Sequence, residues 1–393
     1  MMGAAGMSNK TLYHEKLKIA MLGHKRVPSR EGGVEIVVEK LSVRMVEAGH
    51  EVTLYNRKGH HVSGKEYDTE SSKSKQTFFH GVKIVTVPTI EVKGLAALTS
   101  SFCATMKAIF KHYDCIHYHA EGPSVMLIIP HILGIRTVAT IHGLDWARSK
   151  WGGFAAQYLK FGEKIAAKFA DEVIVLSTNN QKYFKETYNR NTVFIPNGIS
   201  RPIKREAQLI KKNWKLEPDN YILYLGRITS EKGLEYLVNA YRNVDTNKKL
   251  VIAGGASDTD TFMNKLKALS SNDERIIFTG FVQDELLEEL YSNAYLYTLP
   301  SDLEGMPLSL LEAMSYGNCC LTSDIEECAE VVENKAVLFK QGDVDDLENK
   351  LQMLCDDEVL VKTFKENAVD FICDKYCWED VVEMTIELYR GQP

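Results

Sequence analysis

Short apolar runs rich in β-branched residues alternate with helical stretches along the whole chain, in two successive series. The first series comprises Leu17–Leu22, Glu51–Tyr55, Lys83–Val87, Asp114–His119, Arg136–Ile141 and Glu172–Leu176. The second comprises Tyr221–Leu225, Lys249–Ala253, Arg275–Thr279, Tyr295–Leu299, Cys319–Thr322 and Val337–Phe339. Helical periodicity fills the intervals, as in Val34–Ala48, Leu234–Tyr241, Leu286–Tyr291 and Leu308–Ser315. Most of the strand-like runs are near-continuously apolar, as expected where helices cover both faces of a parallel sheet. The fold class is therefore α/β, with two Rossmann-like, doubly wound domains in succession. Ligands of such sheets bind beyond the carboxyl ends of the strands, so two sheets facing each other frame one cleft. The turn Ile195-Pro196-Asn197-Gly198 places the seam between domains 17–198 and 199–375, with an amphipathic helix over 376–393 and a disordered or tag-like extension over 1–16.

The length of 393 residues supplies two cores. The net charge of −6 conceals a division: residues 1–200 carry 26 Lys+Arg against 17 Asp+Glu, and residues 201–393 carry 21 against 36. A half at +9 joined to a half at −15 points the first toward something anionic, although solvated faces can produce the same imbalance. No apolar run reaches the roughly 20 residues of a membrane span. The longest candidate, Val125–Leu133, is broken by Pro130 and His131 and reads as a buried helix or strand. The eight cysteines lack paired spacing, and Cys373 and Cys377 have no companion pair, so no zinc site is expected. Reduced thiols fit a cytoplasmic protein. Gly64–Gln76, rich in Ser, Lys and charge, is expected to be an exposed, mobile loop.

Four motifs carry chemistry. Ser301-Asp-Leu-Glu304-Gly-Met306-Pro307-Leu308-Ser309-Leu-Leu-Glu312-Ala-Met-Ser-Tyr-Gly317 follows an apolar strand and opens a helix, with Pro307 expected at its first position. The N–H groups of Leu308 and Ser309 would then point out of the helix, where phosphate binds readily. Glu304 and Glu312 can face one ligand and accept from sugar or ribose hydroxyls, though such a pair is as readily just solvated. Tyr224-Leu-Gly226-Arg227-Ile-Thr-Ser-Glu-Lys232-Gly233 sets two cations after a strand, a fork and a point charge suited to a diphosphate. Gly32-Gly33 precedes a helix after the first strand and allows close backbone approach to phosphate; a simple tight turn would use the same residues. Thr140-Ile-His142-Gly143-Leu-Asp145 ends another strand, where a histidine is structural more often than catalytic. Ala253-Gly254-Gly255 and Phe278-Thr-Gly280-Phe-Val282 end strands facing the same cleft. His119 is a candidate for lining the acceptor side, while His117 points the opposite way along its strand. Ser177 and Asn197 lie near the seam, where turn roles are at least as reasonable as cleft roles.

The Glu304–Glu312 segment, with Gly305, Pro307 and Gly317 around it, resembles the E-x7-E signature of the family 4 retaining glycosyltransferases, of the bacterial polysaccharide-assembly type. The likeness runs from about Leu17 to the C-terminus. It implies the GT-B architecture, with an N-terminal acceptor-binding domain, a C-terminal nucleotide-sugar-binding domain and a last helix crossing back to brace the first. It assigns Glu304 to the donor sugar, Glu312 to the ribose, Arg227 and Lys232 to the diphosphate, Gly32 and Gly33 to the loop closing over it, and Val282 to the base. It places His142 near the donor sugar's reacting face. It further implies transfer of a hexose or related sugar, with retention, from a nucleotide diphosphate donor to a glycan or polyprenyl-diphosphate-linked acceptor. No metal or other cofactor is expected, since cations stand where a metal enzyme places acidic ligands. The expected partners are donor, acceptor and an anionic membrane surface, without nucleic acid, and the expected location is the cytoplasm, with peripheral attachment to the inner face of the plasma membrane as the further option. Two departures bear on the donor sugar: Cys319 stands where a proline is usual, and Asp324–Val332 lacks the usual glycines. An epimerase or phosphorylase on a similar fold, or a silent nucleotide-sugar-binding protein, are the rival functions. Leu95, Leu98, Phe102, Met106 and Ile109 recur at helical spacing beside Lys93, Lys107 and Lys111; core packing is the expected use of that stripe, an interfacial helix the alternative.

Overall fold

The computed structural model describes residues 15–30, 32–60, 77–92, 95–148, 152–255 and 260–391. The loop expected at Gly64–Gln76, residues 1–14 of the extension, and Lys93 lie outside them. Two sheets form. The first contains β1 (Lys18–Leu22), β2 (Glu51–Arg57), β3 (Phe78–Phe79), β4 (Val82–Val87), β5 (Cys115–His119), β6 (Arg136–Ile141), β7 (Glu172–Val175) and β8 (Val193–Phe194). Its order is β3-β4-β2-β1-β5-β6-β7-β8, parallel except for the β3–β4 pair. The second contains β9 (Tyr221–Leu225), β10 (Lys249–Ala253), β11 (Ile276–Gly280), β12 (Leu296–Leu299), β13 (Cys319–Ser323) and β14 (Val337–Phe339). Its order is β11-β10-β9-β12-β13-β14, parallel throughout.

The reason the strands read as continuous apolar runs is visible at their centres. Ile19, Ala20, Met21 and Leu22 of β1, and Tyr221 to Tyr224 of β9, are all buried, because helices cover both faces of each sheet. Strand order reverses on either side of β1 in the first sheet and of β9 in the second. Those reversals open crevices at the carboxyl ends of β1 and β5 and of β9 and β12, which is where ligands of such sheets bind.

The C-terminal helix Trp378–Arg390 belongs to the first domain's core although it follows the second domain in sequence. Trp378, Val381, Val382, Ile386 and Tyr389 pack there, while the preceding helix Glu358–Lys375 buries Val361, Ala368 and Ile372 in the second core. Arg136 Nε donates to Leu388 O at 2.8 Å and His117 Nδ1 pairs with the Tyr389 hydroxyl at 2.6 Å, so this helix is tied to β5 and β6. The chain crosses at one backbone bridge, Ile199 to Cys377.

Three expectations are corrected. Pro307 precedes its helix as N-cap, and Leu308 is the first helical residue. Val125–Leu133 forms two short helical turns and is only partly buried, with Ile132 at 75% and Leu133 at 57% exposure. Of the expected stripe only Ile109, just past the helix Leu95–Ala108, packs against a core; Leu95, Leu98, Phe102 and Met106 do not. That helix buries Ser100, Ser101, Ala104, Thr105 and Ala108, leaving Leu95 and Phe102 at 44% and 49% exposure. The inversion is physically cheap: Ser100 and Ser101 donate to Ala96 O and Ala97 O within the helix, and Thr105 pairs with the Tyr118 hydroxyl, so no buried hydroxyl is left unpaired. Among the described residues no helix is long and apolar enough to cross a membrane.

Candidate active site

On the C-terminal side, the backbone after β9 and β10 is drawn together by glycine. Gly254 has φ +152°, and a Cβ there would lie 1.8 Å from Gly226 O, so no other residue fits. Arg227 follows Gly226; its carbonyl accepts from the Tyr224 hydroxyl at 2.8 Å, and its guanidinium makes no ion pair among the described residues. Lys232 ends the short turn Ser230–Lys232 and donates to Glu304 Oε1 at 2.5 Å. Ser301 Oγ donates to the same oxygen at 2.7 Å. Burial works to raise the Glu304 pKa, but Lys232, Ser301 and Arg148 outweigh it and hold the carboxyl ionised below its ordinary range.

Glu312 lies on the helix Leu308–Ser315, where Tyr291 donates to its Oε2 at 3.1 Å. Burial raises its pKa against the opposing charges of Arg30 and Lys40, both from the first domain. The N–H groups of Leu310 and Leu311 bond to Pro307 O, whereas those of Leu308 and Ser309 have no acceptor among the described residues and remain at the helix mouth. Val282 is buried beyond β11.

The first domain meets this surface with two loops. Gly33 opens the helix Gly33–Glu47 against Leu308, whose Cδ1 would lie 3.1 Å from a Cβ at that position. Gly143 abuts Gly305, where a Cβ would come within 1.7 Å of His142 O. Asn197 N donates to Met306 Sδ at 3.0 Å, and Thr178 and Asn179 donate to Glu330 and Glu327. The glycine-poor stretch Asp324–Val332 is thus a helix, Glu326–Val332, whose carboxylates hold the first domain. Ser177 serves as that domain's helix cap, accepting from Asn180 N at 3.2 Å.

His142 sits beyond β6, with Nε2 3.1 Å from His119 Nδ1. His119 is wholly buried and does not line the acceptor side as expected; it stands behind His142 and supports it. His119 Nε2 is buried with no partner. An orphaned acceptor is tolerated better than an orphaned N–H, so His119 carries its proton on Nδ1 and donates to His142 Nε2. His142 then carries its own proton on Nδ1, which has no acceptor among the described residues.

Burial pushes His142 and His24 down to about 4 and His117 to about 3, and lowers His119 well below its ordinary value. In each case the unfolded chain takes up the proton first. The stability these groups confer is whole above their ordinary pKa near 6.5 and is lost as pH falls toward 4. The melting temperature is expected to drop over that interval. Glu121, raised by burial, acts in the opposite sense, so His117→Gln must be compared with wild type. Calorimetry should show the variant's pH dependence flattened by up to about 1.4 kcal/mol per pH unit.

The structure gathers Gly32, Gly33, His142, Gly226, Arg227, Lys232, Gly254, Glu304, Met306, Pro307, Leu308, Ser309 and Glu312 around one cleft. It also shows residues that sequence reading missed. Arg148 pairs with Asp145 at 2.8 Å and brings a first-domain cation toward Glu304. Glu35, buried, accepts from Lys25 N at 2.9 Å and biases His24 and His142 electrostatically. The i,i+3 spacing of Asp145 and Arg148 was a usable signal; nothing local marked Glu35. Among the described residues no three His, Cys, Asp or Glu side chains converge as a metal site would require.

Known proteins resemble this chain in sequence and in fold. The family model for Glycosyltransferase Family 4 matches residues 31–201, and that for Glycosyl transferases group 1 matches 206–371. An uncharacterized glycosyltransferase of Methanocaldococcus jannaschii is 23% identical over 95% of this chain and 98% of its own length. The UDP-Gal:α-D-GlcNAc-diphosphoundecaprenol α-1,3-galactosyltransferase of Escherichia coli is 27% identical over 68% of this chain and 72% of its own. In fold, the chain matches Anabaena HepE, solved with UDP and glucose, at a TM-score of 0.78 and 18% identity, over 95% of this chain and all of that one. The architecture is GT-B.

Proposed function

Because the chain belongs to the family 4 glycosyltransferases, we propose that it transfers a hexose or related sugar, with retention and without a metal, from a UDP-sugar to a lipid-linked glycan. The observation that carries the reading is the convergence, at one cleft mouth, of Arg227, the Lys232–Glu304 pair and the unbonded N–H groups of Leu308 and Ser309. Fixed cations and backbone donors supply what a diphosphate leaving group needs as its charge develops. When the donor binds, Lys232 keeps one N–H on Glu304 and directs the others to the diphosphate, and Glu304 accepts from sugar hydroxyls. Glu312 is set to hold the ribose. His142 donates from Nδ1 to the sugar or its departing phosphate. The acceptor hydroxyl attacks from the face that the diphosphate leaves; its oxygen bonds to the anomeric carbon, the carbon–phosphate-oxygen bond breaks, and the leaving phosphate takes the proton. The contacts of Gly33 with Leu308 and of Gly143 with Gly305 exclude water that would otherwise hydrolyse the donor.

UDP as carrier and an undecaprenyl-diphosphate-linked acceptor are supported by what the similar proteins bind and act on. A panel of UDP-, GDP- and dTDP-sugars with an undecaprenyl-linked acceptor tests the function. Transfer from a UDP-sugar is expected to persist in strong chelator. Loss of transfer in chelator, restored by magnesium or manganese, would contradict the metal-independent reading.

The basic first half fits attachment to an anionic membrane. Lys107 and Lys111 are exposed at the end of the helix Leu95–Ala108 and just beyond it, and each surface cation contributes about 1 kcal/mol near such a bilayer. Flotation should recover more protein with anionic than with neutral vesicles, and less as salt rises. Reversing both lysines to Glu should abolish the difference and leave UDP binding intact. Equal recovery on both vesicle types would remove the membrane role.

A further inference from the structure

The inverted helix Leu95–Ala108 leaves a groove. Pro88 and Ile90 form one wall, Leu98 and Phe102 the other, and Cys103 and Met126 line it as well; its volume is about 550 Å³. The lining is almost wholly apolar. Leu98, Phe102 and Met106 belong to none of the hydrophobic cores, and Ile90, Val92, Leu95 and Phe102 are each 44–53% exposed around it. Burying such side chains is what the hydrophobic effect favours, so an outward row of them beside a groove indicates a ligand rather than packing.

The groove opens on the catalytic edge of the sheet. Thr89 Oγ1 accepts from Lys58 N, just past β2, and Gly59 O and His60 O accept from Arg26, two residues after His24. Met126 lies on the turn that follows β5 and its His119. The apolar surface therefore lies at the carboxyl-end edge of the sheet, beside the acceptor side of the cleft, whereas Lys107 and Lys111 lie at the other end of the helix, toward the opposite edge. We infer that this groove holds the isoprenoid tail of the acceptor, seating the first hydrocarbon units beyond its diphosphate. The inference rests on the lipid-linked acceptor proposed above and adds where the lipid is read. A branched apolar chain in an apolar groove beside the cleft matches this surface in polarity.

Geranylgeranyl diphosphate, titrated calorimetrically into the full chain with UDP bound, tests it against inorganic diphosphate. Wild type is expected to bind the prenyl compound at least tenfold more tightly. Leu98→Asp should remove that preference at least tenfold while leaving the UDP-induced rise in melting temperature unchanged. Phe102→Ser, at an exposed position that packs in no core, guards against misfolding, and Leu98→Met should restore wild-type binding. No preference for the prenyl compound, or a preference untouched in both folded variants, overturns the groove. So does a preference that survives while vesicle binding is lost, since the surface then contacts the bilayer. A wild-type dimer that Leu98→Asp splits, with prenyl binding unaltered, overturns it in favour of a second copy of the chain. The parent reading is tested separately: if a water-soluble acceptor is extended as fast as an undecaprenyl-linked one, that reading fails. If the lipid-linked acceptor is preferred and the variants behave as wild type, only the groove falls.

Discussion

Lys232→Ala is expected to lower kcat/KM by roughly 10²–10³ or more, the loss typical of removing one donor aimed at developing charge. The structure makes the effect larger than the loss of a phosphate contact alone. Lys232 is one of two groups bonded to Glu304 Oε1, at 2.5 Å, and it holds that carboxyl ionised against burial. Without the ammonium, the Glu304 pKa rises and the residue ceases to be a fixed acceptor for the sugar. The two residues therefore act as a unit, and Glu304→Gln together with Lys232→Ala should cost little more than either alone. Steady-state kinetics on the double-mutant cycle measures this. Additive losses would separate the pair into independent roles, and wild-type turnover in Lys232→Ala would remove the assigned site.

The second large effect should come from one added methyl group that removes no charge. Gly305→Ala would set a Cβ 1.7 Å from His142 O and 3.0 Å from the Gly143 Cα, backbone atoms that cannot yield as a side-chain tip can. The clash lies between domains and not inside either core, so each domain should fold. UDP binding to the second domain should survive, while kcat falls at least 10²-fold because closure is blocked and the first-domain groups cannot reach the sugar. Scattering measurements on the UDP-bound variant should show a more open particle than wild type. A variant with normal kcat would show that the close contact of Gly143 and Gly305 is not used in catalysis.

Much of this was legible in the sequence, for reasons that differ by element. Strands buried on both faces announce themselves as apolar runs, and Arg136–Ile141, Tyr221–Leu225, Lys249–Ala253 and Val337–Phe339 were read with the bounds the structure gives. The two-residue strands β3 and β8 carry too little pattern to be seen. The helix Leu95–Ala108 was read with the right period and the wrong face. Bulky apolar residues ordinarily go inward, and only tertiary structure shows that serine hydroxyls bonded to their own helix let the small face go in instead. The Glu304–Glu312 and Arg227–Lys232 motifs are local enough to be recognised by resemblance, and it was the resemblance, not the residues alone, that assigned them roles. That Lys232 and Glu304 form one buried pair was not legible, since 72 residues separate them. The reading of β5 failed twice: His117 and His119, two residues apart, share one face with their rings 4.1 Å apart instead of pointing opposite ways, and His119 faces His142, one strand over, which covers it.

The anomeric configuration of the product tests the central claim most directly. Proton NMR of the disaccharide-linked product, formed in chelator from an α-linked UDP-hexose, should show the small coupling of an α-linkage. A large diaxial coupling, marking a β-linkage, would mean inversion, and the same-face mechanism built on Arg227, Lys232 and His142 would be wrong.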